Sequence, residues 1–143
     1  MTFDPFGDFE TEGYLRNFAG FKDPALVKKF EHDAFRARVG EAVTTLQTGT
    51  PLRYEDILAT HQRLFQDVYP WAGQDRTATA PDLIIGKGGR FDLFAEAGDI
   101  RRAAEHALRL SQNLETMRAK PGEVMGYLAH AHPFLDGNGP RSC

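Results

Sequence analysis

Tyr54-Glu55-Asp56-Ile57-Leu58-Ala59-Thr60-His61-Gln62-Arg63-Leu64-Phe65-Gln66-Asp67-Val68-Tyr69-Pro70 is the stretch on which the fold class turns. Ile57, Leu58, His61, Leu64, Phe65 and Val68 fall at i, +1, +4, +7, +8 and +11, which lines one face of an α-helix. Pro70 is expected to end it, since proline cannot donate to the helix ladder and restricts the residue before it. A helix with one apolar stripe must bury it against others, and the flanking sequence supplies them. Upstream, Asp23-Pro24 reads as an N-cap followed by proline at the first helical position. That helix runs towards Leu46, with Leu26, Val27, Phe30, Ala34 and Phe35 at helical spacing and Gly40 as a point where it could kink; Thr48-Gly49-Thr50-Pro51 closes it. Downstream, a second long helix is predicted from roughly Glu96 to Met117, with Ile100, Ala103, Ala104, Ala107, Leu108 and Leu114 on its buried side. Pro121-Gly122 opens a last helix carrying Val124, Met125, Leu128 and Ala131. Between Trp71 and Phe94 the residues are rich in Gly, Thr, Asp and Pro, and Leu83-Ile84-Ile85 precedes Gly86-Lys87-Gly88-Gly89. Strand, turn, strand is the reading there, a small β-hairpin flap on a helical body. Residues 1–22, with Pro5, Gly7, Gly13 and Gly20 among aromatics, read as an irregular arm. The expected architecture is mainly α, a single domain over residues 1–143.

Composition narrows the function classes. The chain has 143 residues, 17 basic against 20 acidic side chains, a formal charge of −3 and 41% hydrophobic residues, which excludes a disordered chain. Its 11 phenylalanines supply bulky material for one core. The mild negative charge argues against direct nucleic-acid binding as the main task. Cys143 is the lone cysteine, so neither an internal disulfide nor a zinc cluster is expected, and a reducing cytoplasm is the default location. No stretch approaches the roughly 18 to 20 apolar residues of a membrane helix, and Met1-Thr2-Phe3-Asp4-Pro5 lacks the pattern of a signal peptide.

Chemistry-bearing residues are densest in His132-Pro133-Phe134-Leu135-Asp136-Gly137-Asn138-Gly139, a helix end running into a glycine-spaced loop. Pro133 stops the helix directly after His132 and leaves that imidazole at a helix C-terminus, able to accept a proton near neutral pH. Phe134 can plug the loop into the core. Asp136 offers a hard oxygen ligand suited to magnesium. Gly137 and Gly139 permit backbone conformations that turn successive N–H groups inward as a phosphate nest, with Asn138 as a further polar donor. A general base, a metal ligand and an anion cradle together point to transfer of a phosphate-containing group to a hydroxyl. Other readings exist for the fragments. His-Pro is an ordinary helix stop and Asp-Gly-Asn-Gly an ordinary turn. A calcium loop needs ligands as far as its twelfth position, beyond Cys143, and His130 with His132 lie two apart on a helix, where side chains diverge. His32, His61 and His106 lie inside helices and read as packing or surface residues, and Trp71 as core.

The order of residues in 132–139 resembles the motif of the Fic family, His-Pro-Phe-x-Asp/Glu-Gly-Asn-Gly-Arg-x-x-Arg, and matches it through Gly139. Tyr14-Leu15-Arg16-Asn17 with Gly20, Asp23 and Pro24 is similar to the bacterial Fic arm. His61-x-x-Leu64-Phe65-x-Asp67-Val68-Tyr69-Pro70-Trp71-Ala72-Gly73 is similar to the helix and turn ahead of the flap. The resemblance implies a Fic-type helical bundle that transfers AMP from ATP to a hydroxyl side chain of a target protein. It implies His132 as the base on the target hydroxyl and Asp136 as the holder of Mg2+ between the α- and β-phosphates. It further implies Gly137, Asn138 and Gly139 as phosphate-binding N–H groups. The flap, about Thr77 to Phe91 and centred on Ile84, Ile85, Gly86, Lys87, Gly88 and Gly89, resembles the segment that pairs with the target's backbone. Lys87 reads either as a target or phosphate contact or as a solvated turn residue.

Beyond Gly139 the pattern changes: the motif's two arginine positions are occupied by Pro140 and Cys143, and Arg141 is one residue out of register. The helix that would follow is expected to be missing, through truncation, a frame change or degeneration of the copy. Two function classes follow, an AMP-transferring toxin-like enzyme and a catalytically inactive Fic-fold binding or structural module. The family's inhibitory Ser/Thr-x-x-x-Glu-Gly/Asn is not matched, since Glu12-Gly13 is preceded by Asp8 at the Ser/Thr position. Restraint by a separate small antitoxin is therefore expected, and likeness to compact bacterial toxins points to topoisomerase subunits as targets.

Overall fold

The computed structural model describes residues 17–47, 51–79, 94–131 and 133–134, and every regular element within them is helical. Helix α1 spans Pro24–Leu46. Asp23, extended at φ −77° and ψ 119°, caps it by accepting the Ala25 N–H at 2.9 Å, and Pro24 occupies the first turn, where its missing N–H costs nothing. The helix continues through Gly40 without interruption. Its buried stripe is Val27 and Glu31, with Phe30 and Ala34 packed alongside. Leu26 and Phe35, expected on this stripe, are 45% and 42% exposed, because they sit about 80–100° round the helix from Val27.

Helix α2 spans Tyr54–Phe65, and the Asp56 carboxylate accepts the Arg53 N–H at 2.7 Å to fix its start. It stops at Phe65, five residues before Pro70. The Val68 and Tyr69 N–H groups both turn back to the Phe65 carbonyl, at 2.9 and 3.0 Å, and this turn carries Val68, Tyr69 and Trp71 into the core. Arg38–Asp67 and Arg63–Glu41 ion pairs, each at 2.6 Å, bridge α1 to this region from the exposed side, where such pairs contribute little.

Helix α3 is a single turn, Arg76–Thr79. Asp75 initiates it, its carboxylate accepting the Thr77 N–H at 2.9 Å and its carbonyl the Thr79 N–H at 3.0 Å. Residues 77–79, expected at the start of the hairpin flap, are therefore helical, and no strand occurs among the described residues. The rest of that flap, including Ile84 through Gly89, lies outside them.

A 3-10 turn, Ala97–Asp99, leads into α4, Ile100–Ser111, followed by α5, Leu114–Ala119, and α6, Pro121–Ala131. The one long helix expected from Glu96 to Met117 is thus divided at Gln112-Asn113. Asn113 is the cause: its side-chain oxygen accepts the Thr116 N–H at 3.1 Å and caps a new helix, a bond that competes with continuation of α4. The change of direction swings Leu114 outward to 69% exposure. On α6, Val124 and Ala131 are buried while Met125 faces outward.

Helix α4 packs chiefly on α6, and α1 on α2. The core has two parts. Val27, Phe65, Val68, Tyr69, Trp71 and Phe134 form one, and Tyr54, Ala95, Ile100, Ala104 and Ala131 the other. Ile57 and Leu58 of α2 pack against both, so the helix that decides the fold class also joins its two halves.

Candidate functional site

His132, Asp136, Gly137, Asn138 and Gly139 lie outside the described residues, as do Ile84, Ile85, Gly86, Lys87, Gly88 and Gly89. The structure places what flanks them. Residues 130, 131, 133 and 134 stand on either side of His132, and residues 76–79 and 94–95 on either side of the segment 80–93. These two sets meet at the C-terminal end of α6.

Arg76 is the residue around which they meet. It is fully buried. Its main-chain N–H donates to the Pro133 carbonyl at 2.7 Å, and its Nη2 donates to the carbonyls of Ala95 at 2.6 Å and Ala131 at 3.4 Å. The Ala95 N–H in turn donates to the His130 carbonyl at 2.8 Å. The last carbonyls of a helix lack partners within it, and a cation there also matches the helix dipole. Burial lowers the guanidinium's pKa, while the neighbouring Asp75 carboxylate opposes that shift. Sequence reasoning missed Arg76; the available signal was Gly73 followed by Asp75-Arg76-Thr77, a capped helix start with a basic side chain in its first turn.

Asp75 has a second duty. It accepts the Tyr54 hydroxyl at 2.5 Å, joining the first residue of α2 to the start of α3. Desolvation raises the Tyr54 phenol well above its ordinary range; the bond to Asp75 and that carboxylate's charge add to the shift, and the charges of Arg101 and Arg76 oppose it. Arg101 lies over the Tyr54 ring at 5.1 Å and also pairs with Glu55.

On the other side, Phe134 is 3% exposed and stacks on His61 with ring centroids 3.7 Å apart. His61 also stacks on Trp71 at 5.7 Å, and Trp71 on Tyr69 at 4.4 Å. The His61 Nδ1 accepts the Gly73 N–H at 3.0 Å, so a neutral imidazole carries its proton on Nε2. Gly73 has φ +82°, and a Cβ there would come 2.7 Å from the Gln62 Cβ. One histidine thus ties the turn after α2 to the residue two places beyond His132. Trp71 is core, at 1% exposure, while His32 and His106 are on the surface.

An apolar cleft of about 250 Å³ opens beside Phe134, lined mainly by Leu46, Leu52, Ile57, Leu64, Leu108 and Leu128. Among the described residues Asp56 borders it and no lysine or arginine does. Among the described residues no group of three or more His, Cys, Asp or Glu could hold a metal ion. No helix among them is long and apolar enough to cross a membrane.

The Fic/DOC family model matches residues 51–141, from the approach to α2 through the glycine-spaced loop. The chain belongs to the Fic/DOC family. This Fic domain is 30% identical over 141 residues to protein adenylyltransferase VbhT of Bartonella schoenbuchensis, across 95% of its own length and 28% of that protein's. It is 32% identical over 134 residues to the probable protein adenylyltransferase y4lH of Sinorhizobium fredii, across 87% of its own length and 64% of the relative's. The chain therefore spans less than two thirds of either relative. Among solved structures, the N-terminal Fic domain of a Bartonella effector protein from Bartonella sp. AR 15-3 superposes with a TM-score of 0.67 at 18% identity, covering 90% of this chain and 64% of that one. The N-terminal Fic domain of a putative cell filamentation protein from Bartonella quintana, with bound ADP, superposes with a TM-score of 0.67 at 22% identity, covering 94% of this chain and 70% of that one. At these identities the likeness establishes the Fic fold.

Proposed function

We propose that this Fic domain transfers AMP from ATP to a hydroxyl side chain of a target protein. The observation that carries the reading is the match of residues 132–139 to the family motif, on a chain whose curated relatives both bear the name protein adenylyltransferase. His132 takes the proton of the target hydroxyl, whose oxygen then attacks the α-phosphorus; the new P–O bond replaces the one to the β-phosphate oxygen, and pyrophosphate leaves with that electron pair. The N–H groups of Gly137, Asn138 and Gly139 bind phosphate oxygens and stabilise the charge that develops on them. Asp136, an oxygen donor, suits Mg2+, which neutralises phosphate charge when bound. Pro133 and Phe134 hold the start of this loop, through Arg76 on one side and the His61 stack on the other. Residues 84–89 are the segment that docks the target's backbone, with Lys87 as a contact to the target.

The target is a cytoplasmic protein, with topoisomerase subunits first in order of trial, and a separate small antitoxin restrains the enzyme. Incubation of the chain with Mg2+, ATP and candidate target proteins, followed by mass spectrometry for an AMP adduct on a hydroxyl residue, tests the reading. One feature favours a second reading, a catalytically inactive Fic module: Pro140 and Cys143 stand where the motif has arginines. Intact ATP binding with no adduct on any target would select it.

A further inference from the structure

We propose that Arg76 is a positioning residue for the transfer reaction, holding the backbone on both sides of His132 in register with the two ends of the segment 80–93. The proposal rests on the AMP-transfer reading and extends it to a residue remote in sequence from the motif. His132 lies between Ala131, whose carbonyl accepts from the Arg76 guanidinium, and Pro133, whose carbonyl accepts from the Arg76 main chain. The same guanidinium holds the Ala95 carbonyl, and the Ala95 N–H holds His130. Arg76 opens α3 four residues before residue 80 and Ala95 lies two residues after residue 93, so one buried cation grips the entry and exit of that segment together with the neighbours of the base. Its planar fork, with several donors fixed in one plane, suits it to carbonyls from two chain segments at once; a lysine has the charge without that geometry. Displacement of a reacting group by about 1 Å can cost about 100-fold in rate, so a residue that touches no substrate can still set the rate by holding His132 in place.

The test compares the full chain with Arg76→Gln and Arg76→Lys. The His132 imidazole resonance, assigned by its loss in His132→Gln, reports position without requiring activity. The rate of transfer from α-labelled ATP and the affinity for ATP report its consequence. In folded Arg76→Gln the His132 resonance should move while those of His32 and His106 stay, and the transfer rate should fall about 10- to 100-fold with ATP affinity retained. Arg76→Lys should recover part of the rate. An unmoved His132 resonance in a folded variant overturns the proposal, as does a rate that falls only in step with the folded fraction. Failure of both variants to fold would make Arg76 a structural residue alone and also overturn it. If the unsubstituted chain transfers no AMP, the functional reading fails and the resonance alone decides the role of Arg76.

Discussion

Gly73 and His61 show how single residues set the path of the chain towards the motif. The turn after α2 passes so close to that helix that a methyl group at position 73 meets Gln62 at 2.7 Å and the Leu58 carbonyl at 3.2 Å, at a positive φ of 82°. Gly73→Ala should therefore cost about 1–3 kcal/mol, seen as a lowered midpoint in urea denaturation, and should weaken the His61 bond that backs Phe134. At the motif the outcomes separate by role. His132→Ala should abolish AMP transfer with fold and ATP binding retained, because the base acts on the target hydroxyl. Asp136→Ala should weaken Mg2+-dependent nucleotide binding, measured by titration calorimetry with and without the ion. Transfer persisting in His132→Ala would remove that residue from the role of base.

Helix starts were the most legible elements, because a cap is a local event. Asp23-Pro24 gives the start of α1 directly, and Asp23→Ala should cost about 1 kcal/mol, measurable by thermal unfolding. The apolar spacing from Ile57 to Phe65 gives α2, and Pro121 gives α6. Features set by competition or by distant partners were hidden. Asn113 splits a helix that periodicity alone would continue, and Pro70 is preceded by a turn that had already ended α2 at Phe65. Arg76 reads as an ordinary polar residue until Ala95, Ala131 and Pro133 are brought round it. The link from Tyr54 on α2 to Asp75 before α3 is long-range in the same sense, and it has a pH signature. Burial first, then the Asp75 hydrogen bond and charge, keep the phenol protonated in the folded state, against the opposing charges of Arg101 and Arg76. Because the folded-state value lies above the unfolded value of about 10, the stability this group contributes is full below about pH 10 and declines as pH rises beyond it. Denaturation measured from about pH 9 to 11 should show that decline in the natural chain and a shallower one in Tyr54→Phe.

At the scale of the molecule, two half-cores joined by α2 bring the C-terminal end of α6, the buried Arg76 and the His61–Phe134 stack to one place, where Pro133 and Phe134 of the motif sit. The Fic fold was readable from sequence; the arrangement that braces Pro133 and Phe134 was not, since it depends on contacts between residues as far apart as His61 and Phe134, 73 positions. Pro140 and Cys143 bear on how well the whole assembly works. Charge-assisted contacts from arginine to phosphate contribute about 1.5–3 kcal/mol each, and loss of a transition-state donor commonly costs about 100-fold in rate. Replacing both by arginine should tighten ATP binding and raise the transfer rate; no gain in either would show that these positions do not limit the chain. The central claim is AMP transfer by His132, and the most direct measurement pairs two labels of ATP with two forms of the full chain, in the presence of Mg2+ and a bacterial protein extract. Label from α-phosphate ATP should appear covalently on a target protein with the natural chain, should be absent with His132→Ala, and should not appear with γ-phosphate ATP. Absence of α-label with the natural chain, its persistence in His132→Ala, or covalent transfer of the γ-label would contradict the account.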